Sequence, residues 1–299
     1  MRRPLALLLG LAFAATPARA ATVSGSLTPA YGAPIVVQTT QTQQDATYGQ
    51  VDTSVGSELD AAYAYTANDS LYLLLTGNMQ YWIQLEGGIR HIQPLYVFLD
   101  TAPGGQNTLA ANDPNVDPDF NLPALAGLTF DSGFDADYAF ELTADFQHLK
   151  AYQASLATGG GGSGAYLGGT NPGAPGTLSG GTNPFGVAVT MDDRNVAGVT
   201  QGCGAASGAG VPTGIEWAIP LAAIGHPSGC IRVTALFLDF NLTNVLNQTL
   251  SPLPPGTCNL GPASSVSFAA IAGQQYFAIC GIPVATRPAT WGSLKGRYH

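Results

Sequence analysis

Residues 214–241, GIEWAIPLAAIGHPSGCIRVTALFLDFN, constrain this chain more than any other stretch. Ile215, Trp217 and Ile219 alternate with Glu216 and Ala218, the period of two that marks a strand with one face in a core. Pro220 ends that strand, because it offers no N–H to a ladder. The following LAAIGHPSG has room for one or two helical turns before Gly225, Pro227 and Gly229 interrupt it. CIRVTALFLDF then resumes β-branched and aromatic residues at strand length. A strand, a tight turn and a second strand make a sheet unit. Trp217, in step with Ile215 and Ile219, belongs to its core.

The rest of the chain agrees. Charged residues make up only 10% of it, against 38 glycines and 21 prolines, a composition that suits short strands and many turns and starves helices of Glu, Lys and Arg. Strands are expected at 23–26 and 34–41, the second reading IVVQTTQTQ. A hairpin follows, with strands at 60–66 and 70–76 around Asn68-Asp69, a turn dipeptide by its chemistry. LYVFLDT at 95–101 is a near-continuous apolar run, the mark of a strand buried on both faces. Further strands are expected at 136–143, 184–191 and 266–280. Roughly nine to twelve strands suffice for two packed layers. The expected fold is all-β: an antiparallel, jelly-roll-like β-sandwich with long glycine-rich loops.

Arg2 and Arg3, an apolar run over 5–15 and the small-x-small pattern Ala18-Arg19-Ala20 form the signature of an export signal cut before Ala21. The run falls short of the about 20 residues that a bilayer span needs. The expected organisation is a signal peptide at 1–20 and one domain over 21–299, delivered to the periplasm or the medium. Losing Arg2, Arg3 and Arg19 takes the formal net charge from −9 to −12, which disfavours nucleic acid and anionic membranes as partners. Cys203, Cys230, Cys258 and Cys280 include no C-x-x-C pair, so two disulfides are expected in an oxidising compartment. Three connectivities are open. Cys203 with Cys230 and Cys258 with Cys280 is favoured, because each pair would close a loop onto a strand end.

Residues 159–181 read GGGGSGAYLGGTNPGAPGTLSGG. So little apolar surface does not offset ordering entropy, and a mobile surface loop inserted into the domain is expected. Tyr166 and Leu167 either meet a partner there or pin the loop down. Neither the lysine nor the following helix of a phosphate cradle is present.

The succession DSLYLLLTGN (69–78), LYVFLD (95–100), ADYAFEL (136–142), GIEWAIPLAAIG (214–225) and IRVTALFLDFN (231–241) resembles the DOMON-like β-sandwiches. Among these it is most similar to carbohydrate-binding module family 9. VQTTQTQ (37–43) and the GSELDAAY stretch (56–63) also resemble a group of secreted bacterial proteins of unassigned role. The resemblance implies a ligand-binding sandwich.

Chemistry concentrates between 103 and 137. Asp113, Asn115, Asp117 and Asp119 recur at every second residue, with Asp135 and Asp137 shortly after. Calcium takes six to eight hard oxygens, and alternating Asp and Asn can present several from one side of an extended segment. Ordinary solvated turn residues are the other reading. Sugar recognition needs aromatic faces beside amides and carboxylates, which Tyr81, Trp82, Gln84 and Glu86 supply in one short segment, with Trp291 near Arg297 and Tyr298 a further candidate. Packing accounts for Trp82 equally well.

Enzyme signatures are weak. No nucleophile elbow occurs, and His91, His148 and His226 are isolated. A two-carboxylate glycosidase depends on the fold. A haem ligand pair would draw on Met79 with His91 or His148. Few charges guard the edges of strands such as 38–44, so self-association by strand addition is a rival to binding. The reading is a secreted, non-catalytic binding protein for an extracellular glycan or surface component, with calcium a candidate cofactor. A self-associating matrix protein comes second and a glycan hydrolase third.

Overall fold

A computed structural model of the protein describes residues 22–43, 57–80, 93–145, 148–195 and 197–281. In chain order its strands are β1 (Val36–Val37), β2 (Glu58–Ala67), β3 (Ser70–Asn78), β4 (Leu95–Asp100), β5 (Tyr138–Asp145), β6 (His148–Leu156), β7 (Gly162–Thr170), β8 (Ser179–Gly180), β9 (Ala188–Met191), β10 (Gly214–Pro220), β11 (Ile231–Leu238), β12 (Asn244–Leu250), β13 (Gly261–Pro262) and β14 (Phe277–Ile279). They form two antiparallel sheets. The first has the order β1-β2-β3-β10-β9; the second has β13-β12-β11-β4-β5-β6-β7-β8, with β14 added beside β11. The all-β sandwich expected from the strand patterns is the fold observed.

Alternation builds the core. Leu71, Leu73 and Leu75 of β3 and Ile215, Trp217 and Ile219 of β10 face Leu95, Val97 and Leu99 of β4 and Val233, Ala235 and Phe237 of β11 across the layers. Trp217 is fully buried and meets the Phe140 ring edge-on at 5.7 Å. The other faces of β4 residues Tyr96 and Phe98 belong to a second core, with Phe120, Phe130, Phe134 and Phe268 from long connections laid over the outside of the second sheet. Strand β4 is thus buried on both faces, as its unbroken apolar run required. Asn68 and Asp69 turn the β2–β3 hairpin with both residues at positive φ, 51° and 54°, the geometry of a two-residue primed turn. A bulge at Asp60 shifts the β2–β3 register between Leu59 and Ala61. It moves the inward positions from Leu59 to Ala62 and Ala64 and turns Ala61 and Tyr63 to the outer face.

Four expectations are corrected. The glycine tract is not a mobile loop: Gly162–Thr170 is a strand in register with β6 from Leu149↔Thr170 to Leu156↔Gly162. Tyr166 packs on the Tyr152 ring at 5.1 Å and Leu167 enters the inter-sheet core, so these two residues pin the tract. Its glycines let other chain segments lie close, since a Cβ on Gly164 would stand 2.7 Å from Val116 Cγ2. The disulfides join Cys203 to Cys258 and Cys230 to Cys280, with Cα separations of 4.9 and 4.2 Å. Strand pairing decides the second: Ile231 faces Ile279, so the residues just outside that pair are Cys230 and Cys280. The stretch 266–280 forms one 3-10 turn, Phe268–Ala270, and only the short β14, because Val266 and Phe268 cap the second core instead of extending a ladder. The polar run from Gln38 is not an open edge either. Gln38, Thr40 and Thr42 are buried, and their side chains bond the Thr249, Leu253 and Ser57 carbonyls at 3.0, 2.7 and 2.9 Å.

The strand assignment of the glycine tract predicts slow hydrogen exchange at the alternate amides of 163–170 that face β6, measured by NMR or mass spectrometry. It also predicts that Gly168→Ala destabilises the protein by about 1–3 kcal/mol in chemical denaturation. Gly168 has φ +130°, and a Cβ there would meet Ser179 O at 2.6 Å. A neutral Gly168→Ala would return the tract to loop status.

Candidate functional site

One end of the second sheet opens into a cleft of ≈ 840 Å³. Its walls are the end of β4 at Asp100, the start of β5 at Asp137-Tyr138, the end of β6 at Ser155 and the turn into β11 that carries His226. Pro220 ends β10, and a 3-10 turn, Leu221–Ile224, follows. Gly225 (φ 75°) and His226 (φ 53°) then take left-handed conformations that swing the chain across the mouth toward Cys230. The Cys230–Cys280 disulfide closes that wall onto β14.

Three aspartates face the cleft in different states. Asp100 is buried, and its Oδ2 accepts the Arg232 Nη1 donor at 2.8 Å. Burial pushes the Asp100 carboxyl up, against the pull of Arg232. Asp137 Oδ2 accepts the Thr101 and Ala102 N–H groups at 2.7 and 2.9 Å and the Thr101 hydroxyl at 3.0 Å, tying β5 to the turn after β4. Asp135 is exposed. Arg232 is 45% exposed at its side chain, and its guanidinium carbon lies 5.9 Å above the Tyr276 ring. Tyr138 is half-buried, its phenol pushed up by burial and by Asp137. The cleft therefore offers carboxylate acceptors, guanidinium, imidazole and hydroxyl donors, and one aromatic ring.

The six residues expected to hold calcium do not converge. Asp135 and Asp137 line the cleft, whereas Asp113 Oδ1 accepts Gln106 Nε2 at 2.8 Å and Gly161 N at 3.0 Å, and its Oδ2 accepts Ala110 N at 2.9 Å. Asp117 accepts Asp119 N and Phe120 N at 2.9 and 3.1 Å, and the Tyr152 hydroxyl at 2.9 Å. Asp119 pairs with Lys150 at 2.8 Å. Asn115 is exposed and bridges Asn121 through the backbone. The alternation of Asp and Asn serves loop closure: Asp113 and Asp117 tie down N–H groups of their own turns, and Asp119 ties the loop to β6 through Lys150. Among the described residues no three His, Cys, Asp or Glu side chains form a group able to hold a metal ion, so the set does not fit a calcium sphere.

Tyr81, Trp82, Gln84 and Glu86 lie outside the described residues, as do His91, Trp291, Arg297 and Tyr298. Met79 is in the inter-sheet core while His148 is exposed on β6. Asp100, Tyr138 and Arg232 carry no sequence motif that marks them as site residues, and His226 stands isolated in sequence. The available signals were Asp100 ending an apolar run and Arg232 standing alone in an apolar strand of a cation-poor chain.

A second pair of carboxylates lies deeper. Glu58 and Asp60 are both buried beside the β2 bulge. Glu58 Oε1 accepts Asn78 Nδ2 at 3.3 Å and Asn195 Nδ2 at 3.1 Å. Asp60 accepts Val199 N at 3.0 Å and Asn195 Nδ2 at 3.4 Å. Burial pushes both carboxyls well above the ordinary range, and the neighbouring Glu58 charge pushes Asp60 further. No protein-family model, curated protein or solved structure matches the chain.

Raised carboxyl pKa values mean that the folded state binds more protons than the unfolded chain. The stability that follows is complete below the unfolded carboxylate range and is lost as pH rises through the folded values. Urea denaturation should show the unfolding free energy falling from about pH 5 to pH 8, by at most about 1.4 kcal/mol per pH unit per group. Glu58→Gln, which keeps the Oε1 acceptor and removes the like charge, should flatten that slope. A flat profile in the parent protein would show both groups ionised in the fold.

Proposed function

We propose that this protein is an exported, non-catalytic binding protein whose cleft takes a polar, polyhydroxylated ligand of the size of one or two sugar rings. The observation that carries the reading is the convergence of Asp100, Asp135, Asp137, His226 and Arg232 around one open volume beside the Tyr138 ring. Sugar hydroxyls need fixed acceptors and donors at short range, and a pyranose C–H face needs an aromatic surface. Pre-organisation supports the reading. Asp137 is held by three donors and Asp100 by Arg232, so the walls lose little freedom on binding.

Export is supported by the N-terminal signal pattern and by two disulfides, which persist in oxidising compartments. No helix among the described residues is long and apolar enough to cross a membrane. Binding is favoured over hydrolysis because two of the three cleft carboxyls already have structural duties: Asp100 is tied up with Arg232, and Asp137 holds the turn after β4.

A glycan array followed by calorimetry on the best ligand tests the proposal. Asp135→Ala removes an exposed carboxylate that anchors no strand and should weaken binding at least about 10-fold, roughly the loss of one charged hydrogen bond. Binding that persists unchanged in Asp135→Ala and in Tyr138→Leu would place the ligand elsewhere. Release of reducing sugar from the bound glycan would convert the reading to a hydrolase.

A further inference from the structure

Glu141 is the most isolated charge-bearing group among the described residues. It lies in β5, fully buried, and neither of its carboxyl oxygens has a hydrogen-bond partner. A buried carboxyl without donors is expensive to keep, and nothing in the packing of the sandwich requires one. Its cross-strand neighbours are Tyr96 on β4 and Tyr152 on β6. Tyr96 brings its hydroxyl toward the carboxyl without reaching hydrogen-bond geometry. Burial keeps the Glu141 carboxyl well above its usual range, and the Asp119 and Asp117 charges raise it further.

Two residues along β6 from Tyr152, and hence on the same face, stands Lys150. Its Nζ lies 2.8 Å from Asp119 Oδ2. Asp119 belongs to the long connection that covers this face, and the adjacent Phe120 ring stacks on Tyr152 at 5.4 Å and on Tyr96 at 6.1 Å. Lys150, Asp119 and Glu141 thus occupy one aromatic-walled face of the second sheet: an amine touching a carboxylate, with Glu141 diagonal to Lys150 across the β5–β6 pair. The Lys150 side chain is 24% exposed and that of Asp119 47%, so the pair lies at the rim of this face, with the lysine stem covered.

We propose that Lys150 and Asp119 condense into an intramolecular isopeptide bond, with Glu141 as the proton carrier. In the ion pair a proton passes from Nζ to the Asp119 carboxylate, leaving a neutral amine and a neutral acid. Nζ attacks Cγ of Asp119 and a C–N bond forms. Glu141, protonated at the start, gives its proton to the departing hydroxyl, which leaves as water as the C–O bond breaks, and the carboxylate so formed takes a proton from the nitrogen. One ammonium and one carboxylate become one amide and one water, with no redox change and no cofactor. Holding the two groups in contact supplies the effective concentration that free lysine and aspartate lack. The product would bind the covering connection to β6, 31 residues apart in sequence.

Intact-mass spectrometry on the full purified chain, with both disulfides accounted for, tests this directly. The expected mass is lower than the sequence requires by one water, about 18 Da, approaching completion on prolonged incubation. Tandem spectra should show a branched peptide joining the Asp119 and Lys150 segments, with no tryptic cleavage after Lys150. Lys150→Arg should abolish the deficit, and Glu141→Gln should abolish it or slow it at least 10-fold in chains with unchanged circular dichroism. An unshifted mass in the parent protein after incubation overturns the proposal, and so does a deficit that survives Lys150→Arg, which would mark a cyclised aspartate instead. A deficit unaffected by Glu141→Gln overturns the role assigned to Glu141.

Discussion

Burial of the second sheet on both faces is the constraint from which the rest of the architecture follows. Strand β4 puts Leu95, Val97 and Leu99 into the inter-sheet core and Tyr96 and Phe98 into the outer one. An antiparallel sheet normally leaves one face wet. Here that face is aromatic, so chain must be found to cover it. The connection between β4 and β5 supplies Leu109, Phe120, Leu122, Leu125, Phe130 and Phe134, and the segment after β12 supplies Leu253 and Phe268. Segments that are loops by secondary structure thus behave as a third layer, and their ends are where the cleft forms.

A covering layer tied together by isolated bridges and turns leaves part of its backbone without a ladder partner, and this explains the aspartates. Asp113, Asp117, Asp131 and Asp137 each accept backbone N–H groups from the covering segments. In a sheet those donors would meet carbonyls; in the covering layer they meet carboxylates. The same groups that resemble a calcium loop in sequence are consumed in holding the layer shut.

Periodicity made the sandwich legible. The alternation around Trp217, the apolar run of β4 and the Asn68-Asp69 turn each depend on neighbours within ten residues, and each was readable. Three features depended on partners far away. The glycine tract became a strand because β6 offers a ladder and Tyr152 a stacking surface, facts absent from its own composition. The Cys230–Cys280 disulfide followed the β11–β14 register and not sequence proximity. The cleft residues Asp100, Tyr138, His226 and Arg232 come from four separate segments and meet only when β4, β5 and β11 align. Trp82 and its neighbours fall outside the described residues, so the sequence reading of that segment stands apart from the structural one.

Charge is used sparingly and by location. Among the described residues the lysines and arginines are Lys150, Arg194 and Arg232, and each is ion-paired to an aspartate, Asp119, Asp192 and Asp100 respectively. The excess acid has to be settled without cations, and three solutions appear. Glu216 accepts the Ser24 and Gly25 N–H groups at 2.6 and 2.8 Å and the Tyr31 hydroxyl at 2.6 Å, fastening the N-terminal segment over the first sheet. Glu58 and Asp60 are held by amide donors and by raised proton affinity. Glu141 has neither cation nor donor, which sets it apart from the other buried acids among the described residues. A buried acid without donors, on the same sheet face as a paired lysine and aspartate, is where chemistry explains the residue better than packing, which an apolar side chain would serve at lower cost.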